Sequence, residues 1–272
     1  MKYFLKIQNI IYFNLKILAL IFFLSFKIFA ESGLEIGIFV PLGMSVGINY
    51  WDKIPSSYNK NQTNKYNQYV SNNTRNSKAG FEGGLLFQAG YRLEMNKALS
   101  FSFMGEIGYS RDTLNYSLKS GNTNSALFST KESIYYSFDS LVIGFLPKIN
   151  YKRFSFGIGF GMKAVLGGNI NRSSHNTALD YSVNKIDIIN VKNYRNYFKY
   201  NVIPYIKLTF DYSLYTSSKF DFVIGAYLGY DFNLKYYNKK HNLDKALTEH
   251  PINNMSGLDI GIQIGTKIRP LN

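Results

Sequence analysis

Hydrophobic and polar residues alternate along much of the chain. Between residues 33 and 48, even positions carry aliphatic residues, while odd positions carry mainly Gly, Ser and Glu. A period of two predicts a β-strand with one apolar face. The same alternation recurs in six further segments: 81–94, 99–110, 154–166, 198–212, 220–232 and 257–268. The chain therefore predicts an all-β fold of long, two-faced strands.

An eighth segment, 134–149, alternates less regularly. Tyr136 and Phe138 favour an apolar face at even positions, whereas Leu141 and Ile143 favour one at odd positions. A β-bulge would switch the register between the two halves. The sequence leaves the register of this strand open.

Charge separates the two faces of the seven regular segments. No Asp, Glu, Lys or Arg lies on the apolar face. The other face carries both signs of charge, at these positions: Glu35, Glu82, Glu94, Glu106, Asp211, Asp221, Asp231, Asp259, Arg92, Lys163, Lys199, Lys207 and Lys267. More than half of the 22 glycines share that face. Because small residues leave room for longer neighbours inside a narrow barrel, we expect the polar face to line a lumen and the apolar face to contact lipid.

Connections between these segments alternate in length along the chain. Long connections follow the first, third, fifth and seventh segments, while short ones include residues 95–98 and 150–153. Bacterial outer-membrane barrels show this asymmetry, with short periplasmic turns and long outer loops. The pattern predicts a closed antiparallel up-and-down transmembrane β-barrel of eight strands. A hairpin within 181–191 would give ten strands, but its arms are too short to span a bilayer, so we expect it to lengthen strands above the membrane.

In its strand pattern and connection lengths, the chain resembles the small eight-stranded outer-membrane barrels of the OmpA transmembrane-domain and OmpX-like class, over its whole length after residue 30. Its bias toward Asn, Lys, Tyr and Ile also resembles spirochaetal surface barrels. The resemblance implies an integral protein in the outer membrane of a diderm bacterium, with extracellular loops and periplasmic termini. It further implies outer-membrane lipid and the outer-membrane assembly machinery as partners. Such barrels often end on an aromatic residue, whereas Asn272 stands last here.

Residues 1–30 resemble a secretory signal peptide. They contain four lysines and no acid, an apolar stretch at 17–26 and the small residue Ala30. We therefore predict a signal peptide at 1–30 and one outer-membrane β-barrel domain at 31–272. The alternative is an uncleaved membrane anchor, for which the apolar stretch is short.

Composition and charge narrow the chemistry. The chain has no Cys, which excludes disulfides, thiol nucleophiles and thiolate zinc sites. The formal charge is +14 and falls to +10 without the four lysines of residues 1–30. Basicity of this size fits an anionic partner, but it also fits an A+T-rich coding sequence, and both interpretations stay open. We predict no nucleic-acid partner.

The inward charges predict a network in the lumen. Glu106, Lys163 and Lys207 should lie near mid-height, where opposite charges pair because an unpaired charge is costly. Arg92 and Asp259 complete the predicted network. Eight strands leave an interior just wide enough for side chains, so the network predicts a plug, with an ion-conducting lumen as the alternative.

The outer loops combine Lys, Arg, Asn and Tyr. Loops on a rigid scaffold often carry binding functions. Arg172, Arg195, Lys239 and Lys240 are candidates for binding an anionic glycan, a lipid or a host protein. Generic solvation of the loops is the alternative.

Three histidines lie in predicted outer loops: His175, His241 and His250. A catalytic site at the outer rim would combine His250 with Glu249 and Ser256, but nothing in the sequence fixes their geometry. A metal site at His241 and His250 lacks a spaced third ligand. We therefore predict no enzymatic activity, no catalytic residue, no metal and no cofactor.

Together these observations predict an outer-membrane barrel with a side-chain-filled polar lumen and a surface or structural role. One alternative is a small porin or channel. Another is a lipid-modifying enzyme of the outer leaflet. A water-soluble, lipocalin-like barrel that binds an apolar ligand is the fourth interpretation.

Overall fold

Long antiparallel strands account for most of the chain. The structure, a computed structural model, describes residues 32–118, 130–176, 181–235 and 253–268, except positions 52, 55, 57 and 218. The strands are β1 (Gly33–Trp51), β2 (Arg75–Glu94), β3 (Leu99–Leu118), β4 (Thr130–Tyr151), β5 (Phe154–Asn176), β6 (Tyr181–Asn190), β7 (Val202–Thr216), β8 (Phe220–Leu234) and β9 (Asn253–Ile268). The predicted signal peptide, 1–30, lies outside the described residues and stays a prediction.

Eight of these strands close into a ring. Their order is β4-β3-β2-β1-β9-β8-β7-β5, and β5 pairs back with β4. Every pairing in the ring is antiparallel, and β1 pairs with β9, so the first and last strands meet. The predicted closed, eight-stranded, up-and-down barrel is confirmed.

Strand β6 lies outside the ring. It pairs with residues 167–176 of β5, whereas β7 pairs with residues 154–164 of the same strand. The segment at 181–190 therefore extends the wall beyond the point where β7 pairs with β5. It adds no membrane-spanning hairpin, in agreement with its short length.

The two ends of the barrel differ. At one end, here called the short-turn end, residues 95–98, 152–153 and 217–219 connect neighbouring strands. Asn96 stabilises the first turn, since its side-chain Oδ1 accepts hydrogen bonds from the backbone N–H groups of Ala98 and Leu99, each at 2.9 Å. Lys152, with φ 53°, takes the left-handed conformation that a tight turn requires. The opposite end, here called the loop end, carries the long connections.

Exposure alternates along the ring strands with a period of two. On β1, Leu34 is 50% exposed while Glu35 is 1% exposed. Odd residues of β1 face the interior and even residues face outward, which is the predicted arrangement. The apolar face is therefore the outer surface of the barrel.

Strand β4 keeps one register throughout. Tyr136 and Phe138 are each 1% exposed and face the interior, while Ile143 is 47% exposed and faces outward. Even positions of β4 thus face inward from Ile134 to Asn150. The irregularity lies on β5. Asp139 and Ser140 of β4 pair with Gly167 and Val165 of β5, so Leu166 is left without a partner on β4.

The connection after β1 contains a helix that the strand pattern did not predict, α1 (Lys60–Asn73). Asn59 caps it: the Asn59 side chain accepts from the Gln62 N–H, and the Gln62 side chain accepts from the Asn59 N–H, both at 2.9 Å. Tyr66 is buried beside Tyr58, with ring centroids 6.4 Å apart. Among the described residues, no helix combines the length and the apolar character needed to cross a membrane.

Interior glycines make room for large rings, as the sequence indicated. A Cβ at Gly43 would lie 2.5 Å from the Tyr227 hydroxyl, and one at Gly261 would lie 2.6 Å from it. Across the lumen, a Cβ at Gly161 would lie 2.9 Å from the ring of Tyr205. The small residues therefore allow Tyr to fill the narrow interior.

Candidate functional site: the lumen and the loop end

A network of buried polar side chains crosses the middle of the lumen. Glu106 Oε1 accepts from Lys207 Nζ at 2.5 Å and from the Tyr205 hydroxyl at 3.1 Å. Its Oε2 accepts from Gln88 Nε2 at 2.8 Å. These bonds join β2, β3 and β7 across the interior, and those that involve the carboxylate and the ammonium are charge-assisted.

Lys148 continues this network toward the short-turn end. Its Nζ donates to Gln88 Oε1 and to Asp211 Oδ2, both at 3.1 Å. Asp211 also accepts from Gln263 Nε2 at 2.5 Å. The Lys148 side chain is fully buried and has both partners that such a charge needs. We call Glu106, Lys207, Tyr205, Gln88, Lys148, Asp211 and Gln263 the central network.

A second group, nearer the loop end, is dominated by acids. Lys163 Nζ contacts three carboxylates: Asp231 at 2.7 Å, Asp112 at 3.2 Å and Asp259 at 3.3 Å. Glu82, a fourth acid, accepts from the Tyr227 hydroxyl at 2.7 Å. All four acids and Lys163 are buried. We call Glu82, Asp112, Asp231 and Asp259 the carboxylate cluster.

A third group lies at the short-turn end. Arg92 Nε is 2.5 Å from Glu94 Oε1, and Arg92 Nη1 is 3.9 Å from Glu35 Oε2. Lys267 Nζ is 3.9 Å from the other oxygen of Glu35. Charged side chains therefore occupy the lumen at three levels.

At the loop end the lumen is closed by apolar side chains. The connection from β6 to β7 forms a short 3-10 helix, Tyr194–Asn196, and places Tyr194 and Phe198 inside the mouth with 0% exposure. Their ring centroids are 5.0 Å apart, and Phe198 lies 5.4 Å from Phe138. Burial raises the pKa of the Tyr194 hydroxyl above its ordinary value, so the phenol stays neutral. We call Tyr194 and Phe198 the aromatic cap.

The cap corrects two expectations. The alternation predicted a strand beginning at 198, but β7 begins at Val202, so Phe198 packs in the mouth and does not face lipid. Lys199 was expected in the lumen. It is exposed before β7, with its Nζ 5.3 Å from the centroid of the Tyr200 ring.

Outside, the barrel presents a continuous apolar belt. Every ring strand contributes exposed apolar side chains: among them are Ile38, Phe87, Ile107, Ile143, Ile158, Leu208, Leu228 and Ile260. Water-soluble proteins rarely expose apolar patches of this extent. In the closed ring, each strand forms backbone hydrogen bonds with a neighbour on both sides. A barrel in hydrocarbon needs this arrangement, because no water is there to bond unpaired N–H and C=O groups. The chain is an outer-membrane-type β-barrel.

Charge marks the boundary of the belt. Toward the loop end, Arg111 and Asp139 face outward on neighbouring strands, with Arg111 Nη1 3.5 Å from Asp139 Oδ1. Outward charges of this kind fit the headgroup region better than the hydrocarbon core. The hydrocarbon-facing part of β3 therefore lies on the short-turn side of Arg111.

Three solved structures to which the chain shows a distant similarity are outer-membrane or surface proteins. Ail, the attachment invasion locus protein of Yersinia pestis, in complex with the heparin analogue sucrose octasulfate, is 11% identical, covers 86% of this chain and 99% of its own, and has a TM-score of 0.31. The outer-membrane protease OmpT of Escherichia coli is 9% identical over 89% and 97%, with a TM-score of 0.38. Neisserial surface protein A is 10% identical over 88% and 99%, with a TM-score of 0.31. No protein-family model matches the sequence, and no curated protein matches it. The barrel assignment rests on the closed ring and the apolar belt.

The predicted lumen residues are placed in different groups by the structure. Glu106 and Lys207 contact each other in the central network, and Lys163 and Asp259 contact each other near the loop end. Arg92 lies apart from both pairs, at the short-turn end of the barrel.

Two important lumen residues were missed. Asp112 lies two positions beyond the regular segment 99–110, and continuing that alternation places it inside the barrel. Lys148 lies on β4, whose register the sequence left open. Both are buried in the barrel and paired with opposite charges.

The loop candidates have different surroundings. Arg172, on β5, has Nη1 3.4 Å from Asp187 Oδ2 of β6, while Arg195 is exposed in the 3-10 helix. Lys239 and Lys240 lie outside the described residues.

The structure describes the backbone of one of the three histidines. His175 lies on β5, where its backbone pairs with β4 and β6. His241 and His250, together with Glu249, lie outside the described residues.

Proposed function

We propose that the barrel is a non-conducting, non-enzymatic surface protein of the outer membrane that presents basic loops to anionic partners. The observation that carries this proposal is the closed interior. The central network fills the middle of the lumen and the aromatic cap fills its mouth. An interior occupied at both levels is suited to support loops and unsuited to pass ions.

The energetics of the central network oppose conduction. Removing one partner of a buried ion pair costs about 3–5 kcal/mol, because the remaining charge is left unpaired. An ion path would have to separate Glu106 from Lys207, or Lys148 from Asp211, and also displace the cap. The closed state is therefore the strongly favoured state of the interior.

We place the loop end outside the cell and the short-turn end, with both termini, in the periplasm. The alternation of long and short connections supports this orientation. In this orientation, we expect the outer-membrane assembly machinery to be the partner during biogenesis. Outer-membrane lipid is then the partner of the apolar belt.

The loop end carries an excess of basic residues. Within the described residues these include Lys53, Lys60, Lys65, Arg75, Lys78, Lys185, Lys192, Arg195 and Lys199. Helix α1 contains two lysines and no acid. Clustered positive charge attracts anionic polymers and surfaces at a range set by the salt concentration. Anionic glycans, lipid headgroups and acidic host proteins share the chemistry that this surface would recognise.

Conductance in planar bilayers tests the closed interior. We expect the purified, folded barrel to insert without producing unitary current steps. A reproducible unitary step from protein that migrates as a folded barrel would contradict the proposal and would favour the small-porin alternative.

Binding of heparin, a sulfated glycan, tests the loop end. We expect Lys60→Glu/Lys65→Glu on α1 to weaken binding to the folded barrel several-fold, because two positive charges become negative. The control, Lys97→Glu/Lys219→Glu, makes the same change in exposed turns at the short-turn end. Binding measured by surface plasmon resonance at physiological salt should be unchanged by the control. Equal losses in both variants would indicate a general charge effect and would contradict a loop-end site.

A further inference from the structure

The carboxylate cluster has more negative charge than its neighbours compensate. Its four acids are 2–7% exposed, and Lys163 is the ammonium that contacts three of them. With all four ionised, the group carries a formal charge of −3. Buried charge of one sign requires compensation by a counter-ion or by protons.

Strand pairing concentrates this charge. Glu82 of β2 is directly opposite Asp112 of β3. Like charges placed opposite each other on neighbouring strands destabilise a sheet unless another group lies between them. Asp259 of β9 completes a set of three: one carboxylate oxygen from each of the three acids lies within 4.8 Å of the others.

That spacing fits a hard divalent cation. Ca²⁺ binds oxygen ligands at about 2.4 Å, so ligands on opposite sides of the ion are about 4.8 Å apart. The donors are all carboxylate oxygens, which suit Ca²⁺ and Mg²⁺ better than zinc or copper. A set of buried carboxylates favours Ca²⁺, which accepts flexible geometry, over Mg²⁺, which demands near-ideal octahedral geometry and usually keeps several waters.

A residue outside the set of three gives independent support. The Asp231 side chain is 7% exposed, and its Oδ2 contacts Lys163. Its Oδ1 is buried and has no hydrogen-bond partner, and the same holds for Oδ1 of Asp112 and of Asp259. Lys163 therefore occupies the Oδ2 atoms of these residues and leaves their Oδ1 atoms available as ligands.

Space for an ion exists at the same place. A cavity of about 40 Å³ is lined by Glu82, Asp231 and Asp259, with Lys163, Lys207 and Gly229 among the other lining residues. Asp112 lies beside this cavity, opposite Glu82, and does not line it. A single water occupies about 30 Å³ in the liquid, so the cavity can hold a small cation. Gly229 keeps this space open, since a Cβ there would have Asp259 atoms at 3.4 and 3.6 Å as its nearest neighbours.

We propose that the carboxylate cluster is a buried divalent-cation site of the Ca²⁺ class, located in the lumen between the central network and the aromatic cap. One Ca²⁺ reduces the formal charge of the group, Lys163 included, from −3 to −1. The ion links β2, β3, β8 and β9, so we expect it to be bound during folding and to stabilise the loop-end half of the barrel.

Metal content after refolding tests this proposal. The barrel is refolded from urea into detergent with millimolar CaCl₂, or with EGTA and KCl, then desalted and analysed by mass spectrometry for metals. We expect one Ca²⁺ per folded barrel after refolding with CaCl₂, and a higher midpoint of heat unfolding than after refolding with EGTA. Refolded wild-type protein without bound Ca²⁺ and with equal midpoints would overturn the proposal and would leave protons as the compensating charge.

Two isosteric variants locate the ion. Asp259→Asn removes one ligand and should reduce bound Ca²⁺ at least tenfold, whereas Asp211→Asn removes an equally buried acid of the central network and should retain it. Glu82→Gln provides a second ligand variant if Asp259→Asn does not refold. Retention of the full Ca²⁺ content by a folded ligand variant, or loss in Asp211→Asn, would place the ion elsewhere and contradict the assignment.

Discussion

Ile260 and Gln263 lie three residues apart on β9 and have opposite surroundings. Ile260 is 51% exposed on the outer belt, whereas Gln263 is 1% exposed and donates to Asp211 in the lumen. The parity of a position along its strand determines whether its side chain meets lipid or the polar interior. The same chemical change should therefore have different effects at these two positions.

Lysine substitutions on β9 measure this difference. Ile260→Lys places an ammonium on the lipid-facing side, with a cost of about 2–4 kcal/mol near the bilayer midplane. Gln263→Lys places the same group in the polar lumen beside Asp211, a carboxylate that it would share with Lys148. We expect the first variant to lower the free energy of unfolding in lipid vesicles by this amount, measured by urea titration. The second variant should lose distinctly less. Equal losses would contradict the assigned facing.

Parity could be predicted from the sequence, and with it the interior position of most charges. The sequence placed Glu106, Lys163 and Lys207 inside the barrel. Each lies within a segment in which glycine or polar residues alternate without a break with apolar residues. Tyr136 and Phe138 could not be placed, because the loop-end interior is apolar and hydrophobicity no longer separates the two faces there. Which charged side chains meet across the lumen also depends on how far distant strands are shifted relative to one another along the barrel axis. The pattern of a single strand carries no information on that shift.

At the scale of elements, the connection from β6 to β7 behaves differently from a strand. Residues 198–202 keep the alternation of the strand that follows, but the segment before β7 turns into the barrel and closes its mouth. Helix α1 could not be predicted from the hydrophobic pattern either, since its polar sequence lacks the apolar stripe of an amphipathic helix. The capping pair Asn59 and Gln62 was its one local signal.

The stability of the cap can be tested with Phe198→Ala. Phe198 is fully buried against Phe138, so its truncation should cost about 3–5 kcal/mol. We expect trypsin to cleave the folded barrel after Lys192, Arg195 or Lys199 on the order of a hundredfold faster, because the cap opens more often. The control Tyr200→Ala removes a ring that is 51% exposed and should change the rate little. Similar rates in both variants would show that Phe198 does not hold the segment.

At the scale of the whole molecule, closure of the ring gives each ring strand one face in the polar lumen and one face in the apolar belt. The sequence predicted closure from alternating connection lengths and from the charge-free face. The sequence predicted that residues 181–191 lengthen the wall above the membrane. It could not predict that β6 would do so as a single strand added to β5, because a ten-residue alternation fits either a hairpin arm or an added strand. The loops' partners follow from neither pattern, since charge describes a class of ligand and not one molecule.

Spin labels at single cysteines test most directly whether hydrocarbon covers the belt, since the chain has no native Cys to compete. Labels at Ile107, Leu208 and Ile260 sample three strands, and a label at Lys65 on α1 is the exposed control. In lipid vesicles, we predict that the three belt labels collide more often with apolar oxygen than with a water-soluble nickel complex, and that the control shows the reverse. Frequent collisions of the nickel complex with all three belt labels of the folded barrel would contradict the membrane assignment.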